Sequence, residues 1–379
     1  MTSTAGTESS SWFQRFLLPG FAFKATVIGG GYATGRELAE FFLPSGPWGG
    51  IAAMTLAMLL WSLICVVTFA LAHQKQTYDY QSFFQTLLGR GWVAYEVAYI
   101  LFVIVLLSVF GAAAGAIGAS MFDLPSVVGT CVLMASIAGF VAFGTVSIER
   151  LFKYVSFLLY GVYVVFAVLA LTKFGQAIVE QFSMRVPTTG WFVGGVTYTG
   201  YNIIGAVVIL PVLKHLTSRR DAVVAGVLAG PLAMLPALIF FCCMIAFYPD
   251  IGRETLPSDF MLRQLDLPLF HLLFQIMIFS ALLESGAGFV HAINERISAA
   301  WVSHGKAELG RTSRLSIAGL LLIGCIFVAD HFGLAKLISG GYRYLSYVFL
   351  AIYVLPLLTI GVAKVVRKRP ATSIAQGAR

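Results

Sequence analysis

Two stretches of the chain, Gly29-Gly30-Gly31-Tyr32-Ala33-Thr34-Gly35 and Gly194-Gly195-Val196-Thr197-Tyr198-Thr199-Gly200, lie 165 residues apart and are identical at four of seven positions. Each sits in the middle of a long apolar run, where clustered glycine disfavours continuous helix and lets the backbone unwind. In hydrocarbon an unwound backbone survives only where it lines a cavity or is buried in protein, because lipid offers its N–H and C=O groups no partner. Interruptions at matching places in two halves of a membrane chain therefore mark a solute site near the bilayer centre. With 38 glycines in the chain, glycine matches come cheaply, and the pairing of Thr34-Gly35 with Thr199-Gly200 is the more specific part.

The composition leaves room for little besides a membrane protein. Hydrophobic residues make up 59% of the 379 and charged residues 11%, with a mean hydropathy of +0.87, far from a soluble domain. Apolar runs long enough to span a bilayer, roughly 20 residues each, fall near 17–43, 48–72, 93–119, 124–146, 151–172, 188–213, 222–248, 268–294, 313–330 and 334–363. The expected fold is an all-α integral membrane protein of about ten transmembrane helices. Residues 1–11, rich in Ser and Thr, read as a disordered tail and not a cleaved leader, residues 12–369 as one transmembrane domain, and 370–379 as a second tail. With breaks in the first and sixth spans, the domain divides into repeats of about 12–173 and 186–369. Five being odd, the second repeat enters the membrane inverted.

The net charge of +8 is distributed by side. With the N-terminus inside, inner segments hold 17 Lys and Arg and outer segments five, namely Lys173, Arg185, Arg253, Arg263 and Lys336. That asymmetry is the positive-inside signal; it places both termini in the cytoplasm and argues for a lipid partner over nucleic acid. The five cysteines all lie within apolar runs and lack metal-ligand spacing, so they read as small buried hydrophobes, with no metal or cofactor expected.

The run Gly29 to Arg36-Glu37, followed by Phe41-Phe42, resembles the GAGFASGQE…FF signature of the YkvI-like bacterial membrane proteins. The run Glu284-Ser285-Gly286-Ala287-Gly288-Phe289-Val290-His291-Ala292-Ile293-Asn294-Glu295-Arg296 resembles that family's eighth-span motif. The resemblance covers essentially the whole chain. It implies the amino acid/polyamine/organocation superfamily, a bacterial inner-membrane location and the LeuT-like fold, five spans plus five inverted with the first and sixth helices broken. It supplies no substrate.

At the first break the outer half-helix is expected to restart about Gly35 to Glu37, offering free N–H groups to a carboxylate. Carbonyls ending the inner half, and those near Thr197 and Tyr198, are expected to attract an ammonium or small cation. An amino acid or related small amine satisfies both ends. The substrate-binding candidates are Gly29, Gly30, Gly31, Tyr32, Thr34, Gly35, Thr197, Tyr198, Thr199, Gly200, Tyr201 and Asn202. Close helix packing is the competing reading of each glycine, and of the tyrosines as core.

Ionisable groups within spans are costly and tend to be paired or functional. Lys24 and Glu284 both fall in the inner half of the bilayer and form an expected pair, with His291 nearer the cytoplasm. In sodium-coupled members of the resembled fold an ion sits between the first and eighth spans. Charge at that place favours proton coupling, with Glu284 as carrier and Lys24 as modulator, while Ser280 and Ser285 keep a bound sodium ion open. Lys153 is a second candidate amine, since some proton-coupled relatives use a fifth-span lysine; beside Glu149 and Arg150 it equally reads as an interfacial side chain. Arg36, Glu37 and Glu40 lie in the outer half of the first span, and a Glu37–Arg343 pair is the expected outer gate. Arg15, preceded by Trp12, resembles an inner gate with Glu295; a solvated cluster is the plainer reading of Glu40, Glu295 and Arg296.

No nucleophile, base or His-Glu-x-x-His constellation supports an enzyme; His291 to Glu295 lacks that spacing. A channel would need a filter motif or a charged ring, and none is present. The expected function is a secondary active transporter of an amino acid or similar amine by alternating access, with a ligand-sensing membrane receptor as the alternative.

Overall fold

The computed structural model of the chain describes residues 11–28, 30–143, 145–303 and 305–366. Among these residues all regular structure is helical. The first apolar run is cut into α1 (Trp12–Phe16), α2 (Leu18–Val27), α3 (Gly30–Ala33) and α4 (Arg36–Phe41). Ile28 leaves the helical region at φ −77°, ψ 75°, and Gly35 turns left-handed at φ 77°, a conformation that L side chains adopt only at a cost. The first span is thus interrupted at the edges of the glycine cluster, at Ile28 and at Gly35, while Gly30–Ala33 between them form a helical turn and not the unwound stretch expected; Gly29 itself is outside the described residues.

The chain continues through α5 (Gly46–Lys75), the short α6 (Tyr80–Leu88), α7 (Trp92–Phe122), α8 (Ser126–Phe143) and α9 (Thr145–Ser183). The second half begins with α10 (Trp191–Asn202), α11 (Gly205–Val208) and a 3₁₀ turn over Leu210–His215. It proceeds through α12 (Arg219–Ile245), α13 (Pro257–Leu265), α14 (Pro268–Ser303), α15 (Arg311–Lys336), α16 (Arg343–Phe349) and α17 (Val362–Val366). Among the described residues six helical stretches are long and apolar enough to cross a membrane: 36–75, 80–122, 158–183, 219–245, 268–302 and 311–366. The last would run to roughly 80 Å as a straight helix, several times what a bilayer needs, and Gly333 (φ 71°, ψ 167°) bends it. Beyond the bend, π-helical turns at Leu337–Tyr342, Leu350–Val354 and Leu357–Gly361 loosen the helix further.

Packing sorts the helices into two groups. In one, α12 lies along α5 and α2, and α10 lies on α5 and α16; in the other, α7, α8, α14 and α15 pack together, with α9 on α14. The first group closes tightly because α12 presents a stripe of small residues, Ala222, Ala225, Gly226, Ala229, Gly230 and Ala233. A Cβ on Gly226 would lie 2.6 Å from the Val66 backbone, and one on Gly230 would lie 2.3 Å from the Met58 carbonyl oxygen. Close backbone approach of this kind is how helices associate where water provides no driving force. Large apolar side chains such as Leu59, Leu101, Val164, Leu320 and Phe327 point outward, as a lipid-facing surface requires. The chain is a multi-pass membrane protein.

The second break corrects the sequence reading. Gly194, Gly195, Thr197, Tyr198, Thr199 and Gly200 all lie within the continuous helix α10. The interruption comes later, at Ile203-Ile204, where Ala206 and Val207 donate to the carbonyls of Ile203 and Ile204 (3.0 and 2.9 Å) and the ladder tightens to i−3 bonds. The glycines serve close contact: a Cβ on Gly194 would meet the Phe41 carbonyl oxygen at 2.1 Å, and one on Gly200 would meet Ser346 backbone and side chain at about 2.9 Å. The carbonyls expected to be free are taken, Thr197 O by the Ser346 hydroxyl (2.7 Å) and Tyr198 O by the Asn202 side-chain amide (3.1 Å).

Candidate functional site

Between the two helix groups lies a cavity of about 320 Å³, within the range of small-molecule sites. Its wall combines Ala25, Thr26 and Val27 at the end of α2 with Asn202, Ile204, Gly205 and Val208 at the second interruption. The opposite wall is mainly apolar, with Phe102, Leu106 and Phe110 from α7 and Phe289 from α14, and adds the hydroxyl-bearing Tyr99 and Ser285. Two carboxyl groups, Glu37 and Glu284, face the same space. Helix interruptions bring them there: Gly35 redirects the chain so that α4 turns Glu37 inward, and α14 presents Glu284, Ser285, Gly288, Phe289 and Ala292 on one face.

Glu37 is 4% exposed, and Tyr201 donates its hydroxyl to Glu37 Oε2 at 2.6 Å. Tyr201 in turn stacks on Tyr342 with ring centroids 4.5 Å apart and meets Tyr198 edge-on. Tyr32, Tyr198 and Tyr201 are fully or almost fully buried in this aromatic packing and line no part of the cavity. Asn202 lines it, while Thr34, Thr197 and Thr199 are buried beside it.

A smaller chamber of about 40 Å³ adjoins Glu284 and Ser285 and is closed by Ala25, Ile28, Leu159, Tyr160 and Ala281. It occupies the space between first and eighth spans where coupling was expected. The expected Lys24–Glu284 pair is not formed there. Lys24 is buried with its ammonium 4.1 Å from the centre of the Tyr160 ring, a cation–π contact, so Tyr160 stands where the ion pair was expected. Ser280 donates to the Ile276 carbonyl of its own helix (2.7 Å), and the half-buried His291 lines neither chamber. The side chain of Lys153 lies outside the described residues.

The gates are built from other pairs than those read from the sequence. On the face that carries α4 and Arg343, Glu40 is the acidic partner: Arg36 binds it at 3.0 Å and Arg343 at 3.1 Å. Glu37 turns inward to Tyr201 and does not meet Arg343. Arg36 also donates to the carbonyls of Gly252 and Glu254 at 2.8 and 2.9 Å, and Ser258 N–H donates to Thr34 O at 3.0 Å. The loop before α13 is thereby fastened over the first break. α13 is itself held by Asp259, whose buried carboxylate receives Ser120 (2.6 Å) and Gln275 (2.8 Å) and contacts His271 (2.7 Å).

On the opposite face Arg15 does not reach Glu295. Its guanidinium binds Asp221 through Nε and Nη2 at 2.8 and 2.9 Å, and Asp221 also accepts from Thr217 and Ser218. Glu295 pairs with Arg314. Arg296 lies between the rings of Tyr80 and Tyr99, 3.6 and 3.5 Å from their centres, and reaches Glu96 at 3.3 Å. Asp221 was legible as an S-x-x-D cap at the start of α12, and Glu96 as an ionisable group within the 93–119 run, although the sequence reading did not single it out; Tyr99 carried no signal of its own.

This arrangement defines a LeuT-fold membrane protein, two inverted helical repeats around an interrupted first helix. No known family model matches the chain. The uncharacterized membrane protein YkvI of Bacillus subtilis (strain 168) is 21% identical over 335 residues, covering 87% of this chain and 92% of that protein. MhsT, solved in complex with L-phenylalanine, superposes with a TM-score of 0.57 at 16% identity and covers 94% of this chain and 97% of its own. A Na⁺-coupled sialic acid symporter in a substrate-bound outward-open state superposes with a TM-score of 0.60 at 13% identity, covering 92% and 82%. The structures share the fold, and their substrates differ from one another.

Proposed function

We propose that the chain is a secondary active transporter that moves an amino acid or related small amine by alternating access. The cavity where the two interrupted spans meet carries the reading, because it is walled by both helix groups and roofed on one face by Arg36, Glu40, Arg343 and the α13 loop. Rocking of one group against the other would exchange the roofed face for the other around a fixed site. Residues 12–369 form the transporting domain, in repeats of about 12–173 and 186–369, set in a bacterial inner membrane with both termini cytoplasmic. The roofed face is then external.

Transport is ion-coupled, with proton preferred to sodium. The small chamber beside Glu284 and Ser285 is the coupling site, since Glu284 is an intramembrane carboxylate without a described cation at salt-bridge distance. Lys24, over the Tyr160 ring that closes this chamber, acts as a modulating positive charge, with Lys153 and His291 as further proton-handling candidates. Similarity of fold to a symporter bound to sialic acid and to MhsT bound to phenylalanine supports the transporter class.

Counterflow in proteoliposomes tests the proposal. A carrier preloaded with unlabelled solute accumulates labelled solute transiently, whereas retention of label without exchange would make the chain a sensor, and an ion-like conductance would make it a channel.

A further inference from the structure

The polar atoms of the central cavity point to one half of an amino acid and not the other. Among the described residues its charged lining consists of Glu37 and Glu284, both acidic. The nearby cations do not line it: Lys24 lies over Tyr160, and Arg36 directs Nη1 and Nη2 to the carbonyls of Gly252 and Glu254 and to Glu40, with its buried Nε unpartnered among the described residues. The neutral polar groups on the α2 and α10 side add acceptors. Asn202 donates one of its two amide N–H groups to the Tyr198 carbonyl, which fixes the orientation of the amide and leaves Oδ1 and one N–H for a ligand. Thr26 commits its hydroxyl hydrogen to the Phe23 carbonyl at 2.7 Å, leaving oxygen lone pairs.

Two of the three backbone donors expected to receive a carboxylate, those of Gly35 and Arg36, are also engaged. Gly35 N–H bonds to Tyr32 O at 3.0 Å, and Arg36 N–H bonds to Thr34 Oγ1 at 3.3 Å. A carboxylate entering beside Glu37 would meet a like charge and acceptors. An ammonium has three donors and no acceptor, and it also supplies the counter-charge that a buried carboxylate needs. Glu37 Oε2 is taken by Tyr201, which leaves Oε1 for it.

Resting on the transporter reading above, we infer that the cavity selects a small primary amine without a carboxylate, an organic cation with an aromatic or branched aliphatic body. Its ammonium is held by Glu37, with Asn202 Oδ1 and Thr26 Oγ1 as further acceptors. Its body lies against Phe102, Leu106, Phe110 and Phe289.

The test compares matched ligands on the purified full chain by calorimetry: phenethylamine, L-phenylalanine and the uncharged 2-phenylethanol, then isoamylamine with L-leucine. Each amine is expected to bind at least tenfold tighter than its amino acid and its neutral counterpart, and Glu37→Gln is expected to erase that preference. Equal or tighter binding of the amino acids, no binding of either amine, or a preference that survives in a folded Glu37→Gln protein would overturn the inference. The wild-type comparison decides the matter even if the variant does not fold. Counterflow with the bound amine separates the two readings: tight binding without exchange defeats transport and leaves the amine selectivity standing, and exchange of amino acids alone does the reverse.

Discussion

At the scale of single residues the site depends on small differences in where a side chain is aimed. Glu37 and Glu40 are one turn apart on α4, yet Glu37 faces the cavity and Glu40 faces the two arginines. A sequence reading that assigns both to the outer half-helix cannot separate them, because the direction of each is set by the left-handed Gly35 and by Tyr201, 164 residues away. Gly205 shows the same dependence on space: a Cβ there would lie 2.2 Å from Thr26 Oγ1 and 3.2 Å from the Phe23 ring. Gly205→Ala is expected to cost about 1–3 kcal/mol of stability, as overpacking does, and to weaken solute binding by displacing Thr26. A melting curve and a binding isotherm on the same preparation check both effects. Glu284→Gln removes the proposed proton carrier while keeping the shape of the side chain. Uptake driven by a pH gradient should fall at least tenfold while exchange at equal pH persists, and full gradient-driven uptake by this variant would remove Glu284 from the coupling role.

At the scale of elements, the two glycine clusters were read as equivalent and the structure separates them. The first contributes a turn with positive φ, which only local chemistry demands, so it was visible in the sequence. The second lies in α10 because Phe41, Ala53 and Ser346 press against it, and such contacts are set by helices remote in sequence. Helix packing and helix breaking call for the same residue type in a membrane, and the surroundings decide which applies. The latches likewise join elements far apart: α4 to α16 through Glu40, and α1 to α12 through Arg15 and Asp221. Partly exposed ion pairs are individually weak, which suits contacts that must part in each cycle. Glu40→Gln removes the negative charge and one of the two oxygens that hold Arg36 and Arg343, and is expected to shift the population toward opening on that face. Ala25→Cys, placed in the cavity wall in a background lacking the native cysteines, should then label several-fold faster with a membrane-impermeant thiol reagent applied from the Arg343 side. An unchanged rate would show that Glu40 does not hold the roof.

At the scale of the whole molecule, the all-α fold was legible because hydrocarbon leaves so few options, and runs of about 20 apolar residues report it directly. The similarity in fold to MhsT across 94% of the chain agrees with that reading. Sidedness rests on charge alone. The proposed topology puts Arg15, Lys75, Arg90, Arg219, Arg220, Arg311 and Arg314 on the cytoplasmic side, so a fluorescent protein fused to the C-terminus should fold and glow inside the cell, and a periplasmic phosphatase fused there should be inactive. The opposite pair of results would invert the topology and make the roofed face internal. One further consequence belongs to Arg36, whose guanidinium grips the loop by the main-chain oxygens of Gly252 and Glu254. Peptide carbonyls are the same in every amino acid, so the exposed Asp250 and Arg253 and the half-buried Glu254 are free to change without loosening the clasp, while Ile251, fully buried, is not. Variation in that loop among homologues should therefore coexist with a retained arginine, and shortening it should do more harm than rewriting it.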